Sequence, residues 1–146
     1  MIILDNLTKL VAVWNGGSMG NGTLKGDNIN TKIAISKSSG GSGDGAEPKE
    51  LLVSSALTCY IETLAYMLDS RKVPVDALSI NSEATVSDKG FNVIHYPQII
   101  LTAGATEEDV QTAQKVIEGA DRGCKIGNLL RKAGLKIEVQ GNVTVK

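Results

Sequence analysis

The sequence predicts an α+β fold with elements in the order β-β-β-α-β-β-α-α-β. Three observations predict it. Stretches that alternate polar and apolar residues stand near both ends of the chain and again in its middle, as half-buried strands do. One long apolar run opens with Pro48 and has no internal breaker until Val73-Pro74. A second helical pattern starts at Thr106-Glu107-Glu108-Asp109, and Gly123 interrupts it before a shorter one.

The elements follow in order. Leu7 to Trp14 is rich in β-formers, Thr23-Leu24-Lys25 makes a short second strand, and Thr31 to Ser36 alternates as a third. Asn15 to Gly22 between the first two is turn-rich. Ser38 to Gly45 reads as a mobile loop by composition. Its glycines do not make a phosphate cradle, because no Lys-Ser or Lys-Thr pair closes the pattern and no strand leads into a G-x-G-x-x-G helix. Pro48 suits a first helical turn, and Glu47 and Glu50 favour the positive end of the dipole. The helix is predicted over 48–70. Apolar residues cover more than half its circumference, which predicts a central, buried helix. Leu78 to Val86 and Asn92 to Leu101 follow as two strands joined by Asp88-Lys89-Gly90. Pro97 predicts an edge position or a bulge in the second. Thr106 with Asp109 resembles a capping box and starts a helix to about Gly119 or Ala120. Cys124 to Gly134 is a second helix, and Leu135 to Val145 a final strand.

At 146 residues, with no internal repeat and no linker, residues 1–146 read as one domain. The net charge of −1 argues against nucleic acid or an anionic membrane as partner. Five aromatic residues are too few for a base-stacking surface. No transmembrane helix is expected, and Met1-Ile2-Ile3-Leu4-Asp5 lacks the basic start and apolar core of a signal peptide. A cytoplasmic protein is expected, in which Cys59 and Cys124, the only two cysteines, stay as thiols. Cys59 lies in the apolar run behind Ser54-Ser55-Ala56. Cys124 follows Gly123 at a helix start, where the dipole and Lys125 favour a thiolate. On that ground Cys124 is expected to be the more acidic thiol. They are either a redox pair or two ordinary buried small residues. The single histidine, His95, is too little for a metal site with two cysteines and reads as structural or surface. No cofactor and no metal are expected.

Pro48-Lys49-Glu50-Leu51-Leu52, with small residues up to Cys59, and Cys124-Lys125-Ile126-Gly127-Asn128-Leu129-Leu130 together resemble the OsmC/Ohr family (osmotically inducible protein C and organic hydroperoxide resistance protein). The resemblance covers nearly the whole chain. It implies an intertwined homodimer with long central helices packed back to back and two active sites at the interface. It implies that Cys59 is the peroxidatic thiol, attacking an organic hydroperoxide, and that Cys124 condenses with the resulting sulfenic acid to form a disulfide. A dithiol reductant, with lipoyl groups first to test, would restore both thiols.

The chain departs from the family at two supporting positions. Ser18 stands where peroxidase members carry an activating Arg, and Lys49 where they carry the Glu that holds it. Lys49 is then a candidate source of positive charge, or Glu50 takes the Glu role with Arg71, Arg122 or Arg131. At about 100° per residue, Glu50 is about 180° from Cys59 on a straight helix and Lys49 about 80°. Ser55 and Glu62 share the cysteine's face. An unpaired carboxylate there raises a thiol's pKa, so Glu62 is expected to be paired, turned to solvent, or part of other chemistry. Two further readings stay open: a non-peroxidase module binding a small apolar ligand at the dimer interface, and a thiol redox sensor or dithiol reductase.

Overall fold

A computed structural model describes residues 7–146; the Met1–Asp5 stretch read above for a leader lies outside them. The chain divides into two compact units, one ending at Leu51 and one running Leu52–Lys146.

In the first unit, β1 (Val11–Asn15), β2 (Asn21–Lys25) and β3 (Asn30–Ile33) form an antiparallel meander. Leu7 to Leu10, expected in the first strand, lie outside it, and β3 ends before Ile35 and Ser36. The reason is the glycine-rich stretch that follows. It is not left loose: Gly41 N–H donates to Ser36 O at 2.9 Å, Gly43 N–H to Ile35 O at 2.9 Å, and Ala46 N–H to Lys32 O at 2.8 Å. A Cβ on Gly41 would lie 2.2 Å from Ile35 O, and one on Gly45 2.6 Å from the Ile33 carbonyl carbon. The glycines are there for close backbone approach, which a reading from composition alone takes for mobility.

α1 (Pro48–Ser70) begins in the first unit and runs on into the second. Ala56, Tyr60, Leu64 and Leu68, each four residues apart, form one stripe that is at most 2% exposed. The burial expected of a helix apolar over more than half its circumference is narrowed to this single stripe: Leu52 and Tyr66 are exposed in the isolated chain. Within 51–68 the single charged residue is Glu62, so α1 is long and apolar enough to cross a membrane by length and composition. Its buried stripe packs into a protein core instead.

β4 (Val75–Ser87) and β5 (Gly90–Leu101) make a long antiparallel hairpin. α2 (Glu107–Gly123) follows, opened by a complete capping box in which Asp109 N–H donates to Thr106 Oγ1 at 3.1 Å and Thr106 N–H to Asp109 Oδ2 at 2.9 Å. α3 (Lys125–Lys132) comes next. The expected final strand is two, β6 (Lys136–Val139) and β7 (Asn142–Val145), both parallel to β5. β5 is therefore central, and Pro97 is not at an edge. β6 pairs with residues 92–95 and β7 with residues 98–101, so the missing N–H of Pro97 falls where the neighbour is interrupted. Gly141 fills that interruption, where a Cβ would meet Ile117 Cδ1 at 2.6 Å and Pro97 Cγ at 3.1 Å. Alternation along β5 buries Val93, His95, Pro97, Ile99 and Leu101 on one face. Ile99 and Leu101 of that face join Tyr60, Leu64 and Leu68 of α1 and Ala113, Val116, Ile117 and Ala120 of α2 in one core.

Candidate active site

The stripe of α1 also sets the direction of its neighbours. Cys59 is one residue before Tyr60 and half-buried at the edge of the core. Cys124 joins α2 to α3 and is 2% exposed within the same core. Both thiols are free, and they belong to one core, Cys124 within it and Cys59 packed against it. Burial pushes the Cys124 thiol up to about 11; the Gly127 N–H at its sulfur opposes this, while Cys59 and the Asp121 carboxylate add to it. The acidic Cys124 expected from its position at a helix start is thus overturned. Desolvation in the core outweighs one turn of N–H groups.

Around Cys124 lies a polar network. Arg131 Nη2 donates to Asp121 Oδ1 at 2.8 Å and Oδ2 at 3.0 Å, and to Ile137 O at 2.8 Å. Arg131 Nη1 donates to Asn128 Oδ1 at 3.0 Å, and Asn128 Nδ2 to Arg122 O at 2.9 Å. Arg131, a candidate partner for Glu50 from sequence, is committed to Asp121. Beside the network, Tyr60 O–H donates to Ile117 O at 2.9 Å. The His95 ring stacks on Tyr60 with centroids 5.2 Å apart and bonds Ser82 Oγ through Nδ1 at 2.6 Å. Burial, joined by the Asp121 and Glu118 carboxylates, raises the Tyr60 pKa and keeps it a neutral donor.

A family model described as OsmC-like protein matches residues 41–140. The chain belongs to the OsmC-like family. It is 34% identical over 147 residues to a Bacillus subtilis (strain 168) protein named Uncharacterized protein YmaD, covering 97% of this chain and 96% of that one. Among solved structures, an OsmC like protein from Mycoplasma pneumoniae superposes with a TM-score of 0.73 at 18% identity, over 96% of this chain and 99% of that one. An organic hydroperoxide resistance protein OsmC from Legionella pneumophila gives 0.64 at 19% identity, over 94% and 96%. The expected family and α+β architecture are therefore established.

Of the OsmC-like site residues named from sequence, the structure brings together Cys59 and Cys124. Glu62 is on α1 with its side chain exposed, and it forms no ion pair among the described residues; of the alternatives above, it is turned to solvent. Lys49 and Glu50 are exposed in the first turn of α1, in the other unit. Lys49 Nζ is 3.8 Å from Glu47 Oε1, an exposed pair of small worth. In that unit Trp14, Leu24, Ile33, Ile35, Pro48 and Leu51 line an apolar cavity of about 450 Å³. Sequence reasoning missed Tyr60, Ser82, Asp121 and Asn128. Asp121 and Arg131 carry opposite charges on either side of Gly123, a signal that becomes useful once α3 is known to fold back on α2.

His95 supplies a pH test. Burial lowers its pKa, with the Arg131 charge acting the same way and Asp121 opposing. The folded state holds it neutral, so the unfolded chain binds more protons as pH falls below the ordinary value of about 6.5. Stability is expected to decline from there downward until the folded pKa is reached. Urea midpoints at pH 7.5 and 5.5 check this: the drop in wild type should shrink in His95→Gln, and equal drops in both would reject it.

Proposed function

We propose that this protein reduces organic hydroperoxides through a Cys59/Cys124 dithiol, in a reducing compartment such as the cytoplasm. The observation that carries the reading is the convergence of two free thiols at one core, the first half-buried and the second behind it. Membership of the OsmC-like family and the shared fold of named hydroperoxide resistance proteins support it. Cys59 as thiolate attacks the O–O bond, becomes a sulfenic acid, and an alcohol leaves after taking up a proton. The Cys124 sulfur then attacks the Cys59 sulfur, forming the disulfide and releasing water. A dithiol, with lipoyl groups first in line, is oxidised as it returns both cysteines to thiols. With Ser18 in place of a cation and Lys49 paired to Glu47, activation of Cys59 is weaker than in members that carry the Arg. A slower peroxidase is the expectation.

Exposed apolar residues in both units, Val11, Val13 and Trp14 on β1 and Tyr66 on α1, support a homodimer in which they are covered. In this reading residues 1–146 act as one OsmC-like domain. The test follows loss of cumene hydroperoxide with dihydrolipoamide as reductant; consumption no faster than the protein-free blank rejects the peroxidase. A second reading, a module that binds a small apolar ligand, is favoured by the apolar cavity in the first unit. It expects ligand retention without disulfide formation after peroxide treatment.

A further inference from the structure

We infer that Arg131 and Asn128 are positioning residues for Cys124, setting the geometry in which its sulfur meets the Cys59 sulfur. The inference rests on the dithiol reading above. Cys124 ends α2 and caps α3 with no side-chain cap of its own, so the direction of its thiol depends on the backbone of residues 121–124. That backbone is held from both sides. Cys124 N–H donates to Asp121 O at 3.3 Å, and Asn128 N–H to Cys124 O at 2.9 Å. The Asn128 side-chain amide donates to Arg122 O, two residues before the cysteine. The Arg131 guanidinium then ties three elements together at one point: the Asp121 carboxylate of α2, Asn128 of α3 and Ile137 O of β6.

Two features single this out from an ordinary surface network. The Arg131 and Asp121 side chains are 29% and 18% exposed, so the ion pair is partly desolvated and resists screening. The network also encloses the junction that carries the second thiol. A lysine at 131 keeps a cation near Asp121 but has no planar fork to reach Asn128 and Ile137 together. Closing a disulfide demands a Cα separation and Cβ direction within narrow limits. A displacement of about 1 Å in a reacting group can cost about 10²-fold in rate.

The test isolates ring closure from peroxide chemistry. Stoichiometric 5,5′-dithiobis(2-nitrobenzoate) converts Cys59 to its mixed disulfide. The Cys124 sulfur then attacks the Cys59 sulfur, a proton passes to solvent, and thionitrobenzoate leaves with a measurable colour. Asn128→Ala and Arg131→Lys are expected to slow this release at least tenfold at pH 8, while the first labelling step changes less than twofold. In Asn128→Ala, which alters no charge, the pH midpoint of closure should stay in place while its plateau falls; a network with a merely structural role would not separate the two. Closure within twofold of wild type in both folded variants overturns the inference. So does equal slowing of labelling and closure. If Arg131→Lys fails to fold, Asn128→Ala decides alone. Wild type that closes readily but consumes no cumene hydroperoxide sinks the peroxidase and leaves the positioning role standing. Wild type that never releases the second thionitrobenzoate removes both.

Discussion

Replacing Cys59 with serine is expected to abolish hydroperoxide turnover, with a fall of ~10³-fold or more. A serine hydroxyl does not ionise near neutral pH and cannot accept the oxygen as a sulfenic acid. Cys124→Ser should behave differently. Cys59 is half-exposed at the core edge and Cys124 is sealed within it, so the first oxidation should survive the loss of the second thiol. One equivalent of hydroperoxide is then consumed, a Cys59 sulfenic acid accumulates that dimedone traps, and dithiol-driven turnover slows. The measurements are hydroperoxide loss under multiple-turnover conditions and intact mass after one equivalent. If Cys59→Ser turns over like wild type, Cys59 is not the nucleophile. If Cys124→Ser loses the first equivalent too, the roles are reversed, which the burial of Cys124 and its pKa of about 11 argue against.

Leu64→Ala is expected to lower stability by about 3 kcal/mol, within the range of about 2–5 for fully buried leucines. Leu64 is 0% exposed, midway along the stripe Ala56, Tyr60, Leu64 and Leu68. It touches a core built from α1, α2 and β5, three elements that cannot all shift to fill the space. Against a whole-domain stability of about 5–15 kcal/mol this is a large fraction. The same stripe fixes the rotation of α1 and with it the direction of Cys59, so the variant should also react more slowly with peroxide. Urea unfolding at pH 7.5 measures the loss. Leu129→Ala, at a side chain 60% exposed, is the control and should stay within about 0.5 kcal/mol of wild type. A loss under 1 kcal/mol at Leu64 would mean that this stripe is not what holds α1.

Much of the molecule was legible before any coordinates. Pro48 and the Val73-Pro74 boundary located α1 to the residue, and Thr106 with Asp109 located the start of α2, because prolines and caps act through local backbone geometry. The two cysteine motifs pointed to the family for the same local reason. Failures arose where distant backbone decides. Pro97 reads as an edge residue unless one knows that β6 and β7 stop on either side of it. The Ser38 to Gly45 glycines read as mobility unless one knows what their backbones approach.

The sequence by itself determined the α+β order, the long apolar helix, its family and the two thiols as the centre of interest. Those properties depend on periodicity, turns and short motifs, which are local. Only the tertiary structure decided that the thiols share one core, that Cys124 is buried and therefore weakly acidic, and that Arg131 serves Asp121 rather than Glu50. The physical reason is that desolvation and ion pairing depend on what folds against a group. Cys124 has an α-helix start in its own sequence but the core of α1, α2 and β5 in space, and burial there outweighs the helix.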